Sequence, residues 1–224
     1  MHFKSALTAS VALCFATPAL ADIDNTGTDT GNVAQFGAAD TATYGNTFTT
    51  GAGDTSIGNF SMFLRNRYDG SGTLDLRGYI ATWDGSKAGS ILYSSATQTM
   101  NAAGTLQEFA FTPGIAVSAN TQYVAFLSVS ELAPQSQSTF SMPVAGNSIA
   151  GGRFVFMNNG TNFGDLTTQN WSQGFLGDND VWLKVGFGSG AVPEPSTWAL
   201  LILGFGMVGA GMRRRSQNVS VRFA

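Results

Sequence analysis

Between residues 44 and 188 no segment of about twelve residues or more carries a helical stripe. Short apolar runs recur instead, each closed by turn-forming residues. Residues 60–64, 74–76, 109–111, 123–129, 154–157 and 181–185 are such runs, bounded by Gly, Asn, Asp, Ser or Pro. Side chains that alternate between faces suit a strand half-covered by a core, and the flanking residues supply the backbone angles that turns require. Asp69-Gly70, Asp84-Gly85 and Asn159-Gly160 are dipeptides of the kind that close hairpins. The pattern predicts an all-β domain, an antiparallel β-sandwich of jelly-roll type. Charge content points the same way: 11% of the residues are charged, against about 25% in an ordinary soluble domain. Lys and Glu, the usual coat of surface helices, give way to Gly, Thr, Ser and Asn.

The front of the chain is of another kind. Lys4 supplies a positive start, residues 6–16 are apolar apart from Thr8 and Ser10, and Ala19-Leu20-Ala21 has a small-x-small pattern. This three-part order predicts a signal peptide over residues 1–21, used by the Sec machinery and removed by signal peptidase before Asp22. Cys14 follows Leu13 rather than the small residue a lipoprotein site wants, so it reads as one more apolar member of the leader. Residues 22–43, rich in Asp, Thr, Gly and Ala, read as a lead-in segment or an edge strand. The sandwich is expected over 44–188 and a linker over 189–195.

The back of the chain carries the most specific pattern. Pro193-Glu194-Pro195 is followed by Trp198 and Ala199, a Gly-rich uncharged run, and Arg213, Arg214 and Arg215. The prolines keep the motif extended and accessible. Trp198 stands where an interfacial aromatic belongs, and the arginines would stay on the cytoplasmic side. Residues 197–212 reach about 24 Å at helical rise, somewhat under the ~30 Å of a hydrocarbon core. A single C-terminal transmembrane helix with its arginine cluster is therefore expected over 196–215, and a cytoplasmic extension over 216–224. These residues resemble the PEP-CTERM sorting signal of exported proteins of Gram-negative bacteria, in the variant with Trp-Ala after the motif. The resemblance implies recognition and cleavage near the motif by an exosortase. It also implies transfer from transient inner-membrane anchoring to the envelope, surface or exopolysaccharide matrix of a biofilm. Pro193, Glu194, Pro195, Trp198, Arg213, Arg214 and Arg215 are then a recognition signal, not catalysts. More loosely, Tyr44-Gly45-Asn46-Thr47-Phe48, Ile80-Ala81-Thr82-Trp83-Asp84-Gly85 and Tyr123-Val124-Ala125-Phe126-Leu127 resemble β-sandwich ectodomains joined to such tails, which mostly have no assigned activity.

Residue counts narrow the chemistry. The only His is His2 and the only Cys is Cys14. A mature chain starting at Asp22 has no disulfide, thiol nucleophile, Cys/His metal site or histidine base. Between Asp22 and Val192, six basic residues face thirteen acidic ones, a balance of −7 that disfavours nucleic acid. No enzyme and no cofactor is expected. Asp178 and Asp180 offer oxygen atoms of the kind calcium takes, and an ordinary turn accounts for them equally. Trp83, Trp171 and Tyr93 are candidates for stacking on sugars, with Trp171 the one expected to be exposed and Trp182 expected in the core. Asp75 and Glu108 could serve as paired carboxylates for glycoside hydrolysis, but no motif surrounds them. Carbohydrate binding, calcium-assisted or not, is the alternative to a purely structural matrix protein.

Overall fold

The computed structural model describes residues 22–37, 41–66, 73–101, 106–132 and 140–189, with 202–207, 209 and 213 near the C-terminus. The chain divides into two units, Met1–Ser189 and Gly190–Ala224. In the first, chain order runs β1 (Ile23–Asp24), β2 (Gly31–Phe36), β3 (Thr43–Thr49), β4 (Asp54–Asn66) and β5 (Thr73–Trp83). It continues with β6 (Ala88–Ser94), β7 (Gln98–Asn101), β8 (Gln107–Phe111), β9 (Ile115–Ala116), β10 (Gln122–Ser128) and β11 (Phe140–Gly146). Last come β12 (Arg153–Met157), the one-turn helix α1 (Asp165–Thr168), β13 (Ser172–Gln173), β14 (Asp180–Val181) and β15 (Leu183–Ser189).

These strands make two antiparallel sheets. One has the order β1-β15-β4-β11-β14, with β2 added to β11 and β8 and β9 to β4. The other has the order β13-β12-β3-β10-β5-β6, with β7 added to β5. Each of the apolar runs read from the sequence lies within a strand, with Val129 one residue past β10, or, at 181–185, runs through the consecutive strands β14 and β15. The lead-in segment holds β1, paired with β15, and β2, paired with β11.

Period-two alternation divides the apolar side chains between two layers. On β10, Tyr123, Ala125 and Leu127 enter one large core, while Val124 and Phe126 enter a second, smaller one. On β5, Leu74, Leu76 and Ile80 join the first and Tyr79, Ala81 and Trp83 the second. The large core draws on both sheets: Phe48 of β3 meets Phe187 of β15 at 6.0 Å between ring centroids. Gly78 is required at a second contact between the sheets, because a Cβ there would collide with the Phe111 ring of the opposite sheet. Phe111 in turn stacks on Phe60 at 4.7 Å.

The smaller core lies on the other face of the β12-β3-β10-β5 sheet. The segment between β12 and β13 covers it with Phe163, Leu166 and Trp171. Asn159-Gly160 therefore opens this covering excursion rather than a tight hairpin, with Gly160 at φ 53°. Asp84-Gly85 does close the β5–β6 connection, the Asp84 side chain accepting the Ser86 and Lys87 amides at 2.8 Å each. Asp69-Gly70 lies outside the described residues.

Candidate functional site

Among the described residues, a buried polar seam joins the two sheets, apart from a second buried network of Thr43, Ser128, Ser130 and Asn159. Asn46 sits on β3 and Asp180 on β14, both fully buried, and Asn46 Nδ2 donates to Asp180 Oδ1 at 2.8 Å. Asn46 Oδ1 accepts the Val181 amide at 3.0 Å. The other oxygen of Asp180 accepts the amides of Ser148 and Ile149 at 2.8 and 2.7 Å. Asp180 thus fastens the β11–β12 connection, and with Asn46 it ties one sheet to the other. Buried polar groups are tolerated when matched in this way.

Asn25 extends the seam to the N-terminal segment. Its Oδ1 accepts the Leu183 amide at 2.7 Å, and its Nδ2 donates to the Val181 carbonyl and to Ser148 Oγ, each at 3.0 Å. One side chain thereby supplies pairing at the break between β14 and β15. Just before it, Asp22 Oδ1 accepts the Phe187 amide at 3.1 Å.

A cavity of about 380 Å³ opens beside this segment, lined by Asp22, Asp24, Asp54, Thr49, Ser148 and Phe187 among others. No Lys or Arg is among the described residues that line it. Hydrogen bonds from the Thr26 hydroxyl and amide hold the Asp24 carboxyl below its ordinary range. Among the described residues, no three metal-ligating side chains cluster.

The candidate residues separate. Asp178 is exposed and faces Arg153 at 3.5 Å, while Asp180 is buried in the seam with both oxygens engaged, so the two do not converge on one ion. Asp75 and Glu108 lie on different sheets, next to core residues on either side, and point away from the shared core. Their contacts are Thr99 for Asp75 and Lys184 for Glu108.

The two tryptophans proposed for sugar stacking require correction. Trp171 is 3% exposed and Trp83 8%. The Trp171 ring meets Trp83 and Phe126 edge-on at 5.5 and 5.3 Å, and its Nε1 donates to the Leu166 carbonyl at 2.8 Å. The polar sequence around Trp171 suggested exposure, but the apolar outer face of the sheet needs a cover and Trp171 supplies it. Trp182 departs in the other direction. It is only half-buried, and Arg65 lies 5.3 Å from its ring while its Nε1 donates to the Thr28 carbonyl. Its neighbours Val181 and Leu183 take the core positions instead. Tyr93 is half-buried, edge-on to Phe60 at 6.0 Å.

Among the sorting residues, Arg213 is helical, and residues 202–207 and 209 are helical before it. Pro193, Glu194, Pro195, Trp198, Arg214 and Arg215 lie outside the described residues, as do Ala19 and Ala21 at the expected leader cleavage. Much of the expected membrane helix over 196–215 lies outside them too. Among the described residues no helix is long and apolar enough to cross a membrane.

A two-sheet domain followed by a separate C-terminal unit defines a domain with an appended tail, and the comparisons with known proteins speak to the tail. Residues 191–215 match the model of the PEP-CTERM protein-sorting motif. The chain carries that motif, which supports export, exosortase-dependent sorting and an envelope or surface destination. Neither a curated protein nor a solved structure matches the chain.

Proposed function

We propose that this chain is a non-enzymatic protein of the cell envelope or exopolysaccharide matrix. It is exported by the Sec route, freed from its leader before Asp22, held transiently in the inner membrane by residues 196–215, and cleaved near Pro193 by an exosortase. The observation that carries this reading is the sorting-motif match over 191–215. The leader pattern of residues 1–21 supports it. The absence of His and Cys after residue 21 supports a non-enzymatic role.

The delivered part is a β-sandwich of jelly-roll type. Its support is the way successive strands change sheets, from β3 to β4, β4 to β5, β9 to β10, β10 to β11 and β11 to β12. Carbohydrate binding, the alternative role, needs a surface other than Trp83 and Trp171, which are occupied in the smaller core.

The test replaces Pro193 and Pro195 with Ala in the native host. Uncleaved chain should accumulate in the membrane fraction. C-terminal processing that continues unchanged would contradict the reading.

A further inference from the structure

The turn between β13 and β14 shows an aromatic ring to solvent. Gly174 and Gly177 take positive φ, 77° and 66°, and the Gly177 amide donates to the Gly174 carbonyl at 3.0 Å. Leu176 packs against the large core, while Phe175 on the same turn is 66% exposed. Among the described aromatic residues of the first unit it is the one left exposed.

Beside Phe175 a slot of about 120 Å³ opens between β2 of one sheet and β3 and β12 of the other. Val33, Ala34, Thr41, Tyr44, Phe154 and Phe156 line it, with Phe175 at its side. Phe156 stacks on Phe154 at 5.7 Å and meets Phe175 edge-on at 5.8 Å. No charged residue is among the described residues that line the slot. An apolar cavity of about 150 Å³ takes one benzene ring, so the slot is of the size of a single aromatic side chain. A sugar would need partners for several hydroxyls, and among the lining side chains only Thr41 and Tyr44 carry a polar atom.

We propose that the slot receives Phe175 of a second copy of this chain, so that the first unit pairs about a two-fold axis through this patch. The knob and the slot lie on one surface, which is the condition for a patch to be its own partner. The two Phe175 rings then meet at the axis, each forming a wall of the slot that the other fills. The charges beside the slot are self-complementary too. Arg153, next to Phe154, and Asp178, on the far side of the turn, stand 3.5 Å apart with side chains 42% and 67% exposed. The two-fold turns Arg153 of each copy towards Asp178 of the other, an arrangement that fixes register. The pairing needs neither the leader nor the sorting tail.

The experiment takes the full chain, purified in a mild detergent, and follows its mass by sedimentation from micromolar concentration upward. The parent chain should pass from one copy per particle to two. Phe175→Ser should weaken the pairing about tenfold or more, as loss of a buried aromatic anchor does. Phe175→Leu, which still fills part of the slot, should fall between the two. Phe175 is exposed within one copy, so at a concentration where both are single the Phe175→Ser chain should melt with the parent. If it melts lower, the charges decide: Asp178→Arg should weaken the pairing, and adding Arg153→Asp should restore it. Failure of the second change to restore it overturns the proposal. So does a parent that stays single at every concentration. A pair that survives Phe175→Ser overturns it as well, since the contact would then lie elsewhere, as in association through the tails. None of these outcomes bears on the sorting reading, which is tested by cleavage near Pro193.

Discussion

Asp180 shows what a single buried side chain can hold. It is fully buried and accepts from Asn46, Ser148 and Ile149, so its removal leaves several donors without an acceptor. Asp180→Ala should cost roughly 3 kcal/mol, since hydrogen bonds to a charged group are worth about 1.5–3 each and some donors will find water. A urea titration measures this, and a loss below about 0.5 kcal/mol would mean the seam is not structural. Trp171→Ala removes an aromatic from the smaller core and should cost about 3–5 kcal/mol. Because the ring faces Trp83 and Phe126, the change should appear as lost stability rather than as lost binding to a polysaccharide. These roles are hard to read from the chain. Asn46 and Asp180 lie 134 positions apart, and nothing local to either marks the other as its partner. Trp171 sits among polar residues, and its apolar neighbours come from β5 and β10, far away in sequence.

At the scale of elements, the apolar runs were legible because alternation is local. A strand that buries one face announces it within five or six residues; the runs at 60–64 and 109–111 lie inside strands, and 123–129 does so but for Val129. Strands β2, β6, β7 and β11 lacked that signature, with fewer large apolar residues and more Ser, Gly, Gln and Thr, and they are set by pairing to neighbours. Turn chemistry was legible where the dipeptide acts by itself. At Asp84-Gly85, Gly85 takes φ 98°, and the carboxyl of Asp84 caps the turn. The Lys87 amide, then the Ser86 amide and hydroxyl, hold the Asp84 carboxyl below its ordinary range. Its folded pKa is the lower one, so its contribution to stability is present above the unfolded value and is lost as pH falls through the folded value. A carboxyl NMR titration should therefore place Asp84 below the ~3.9 of a free aspartate. A midpoint at or above that value would show that the turn does not form as described. At the β5–β8 contact, Gly78→Ala should destabilise the domain by about 1–3 kcal/mol, because the Phe111 ring occupies the space a methyl group needs. A denaturation midpoint unchanged by this substitution would contradict that contact.

At the scale of the whole molecule, the two units divide the labour. The first is a two-sheet domain whose strands bury one large core and one smaller one. The second carries the sorting motif, recognisable from a few residue types in a fixed order along the chain. That is why the tail was the most legible part of the chain, while the domain it delivers showed its fold class but not its polar seam or its covered outer face. Neutralising Arg213, Arg214 and Arg215 together should lower retention in the membrane before cleavage, measured as the share of uncleaved chain in the membrane fraction. The central claim is that the tail is a processed sorting signal, and the intact mass of the protein from its native host, in membrane and secreted fractions, tests it most directly. A chain running from Asp22 to the neighbourhood of Pro193 is the predicted result. A mature chain that still ends at Ala224 in every fraction would contradict it.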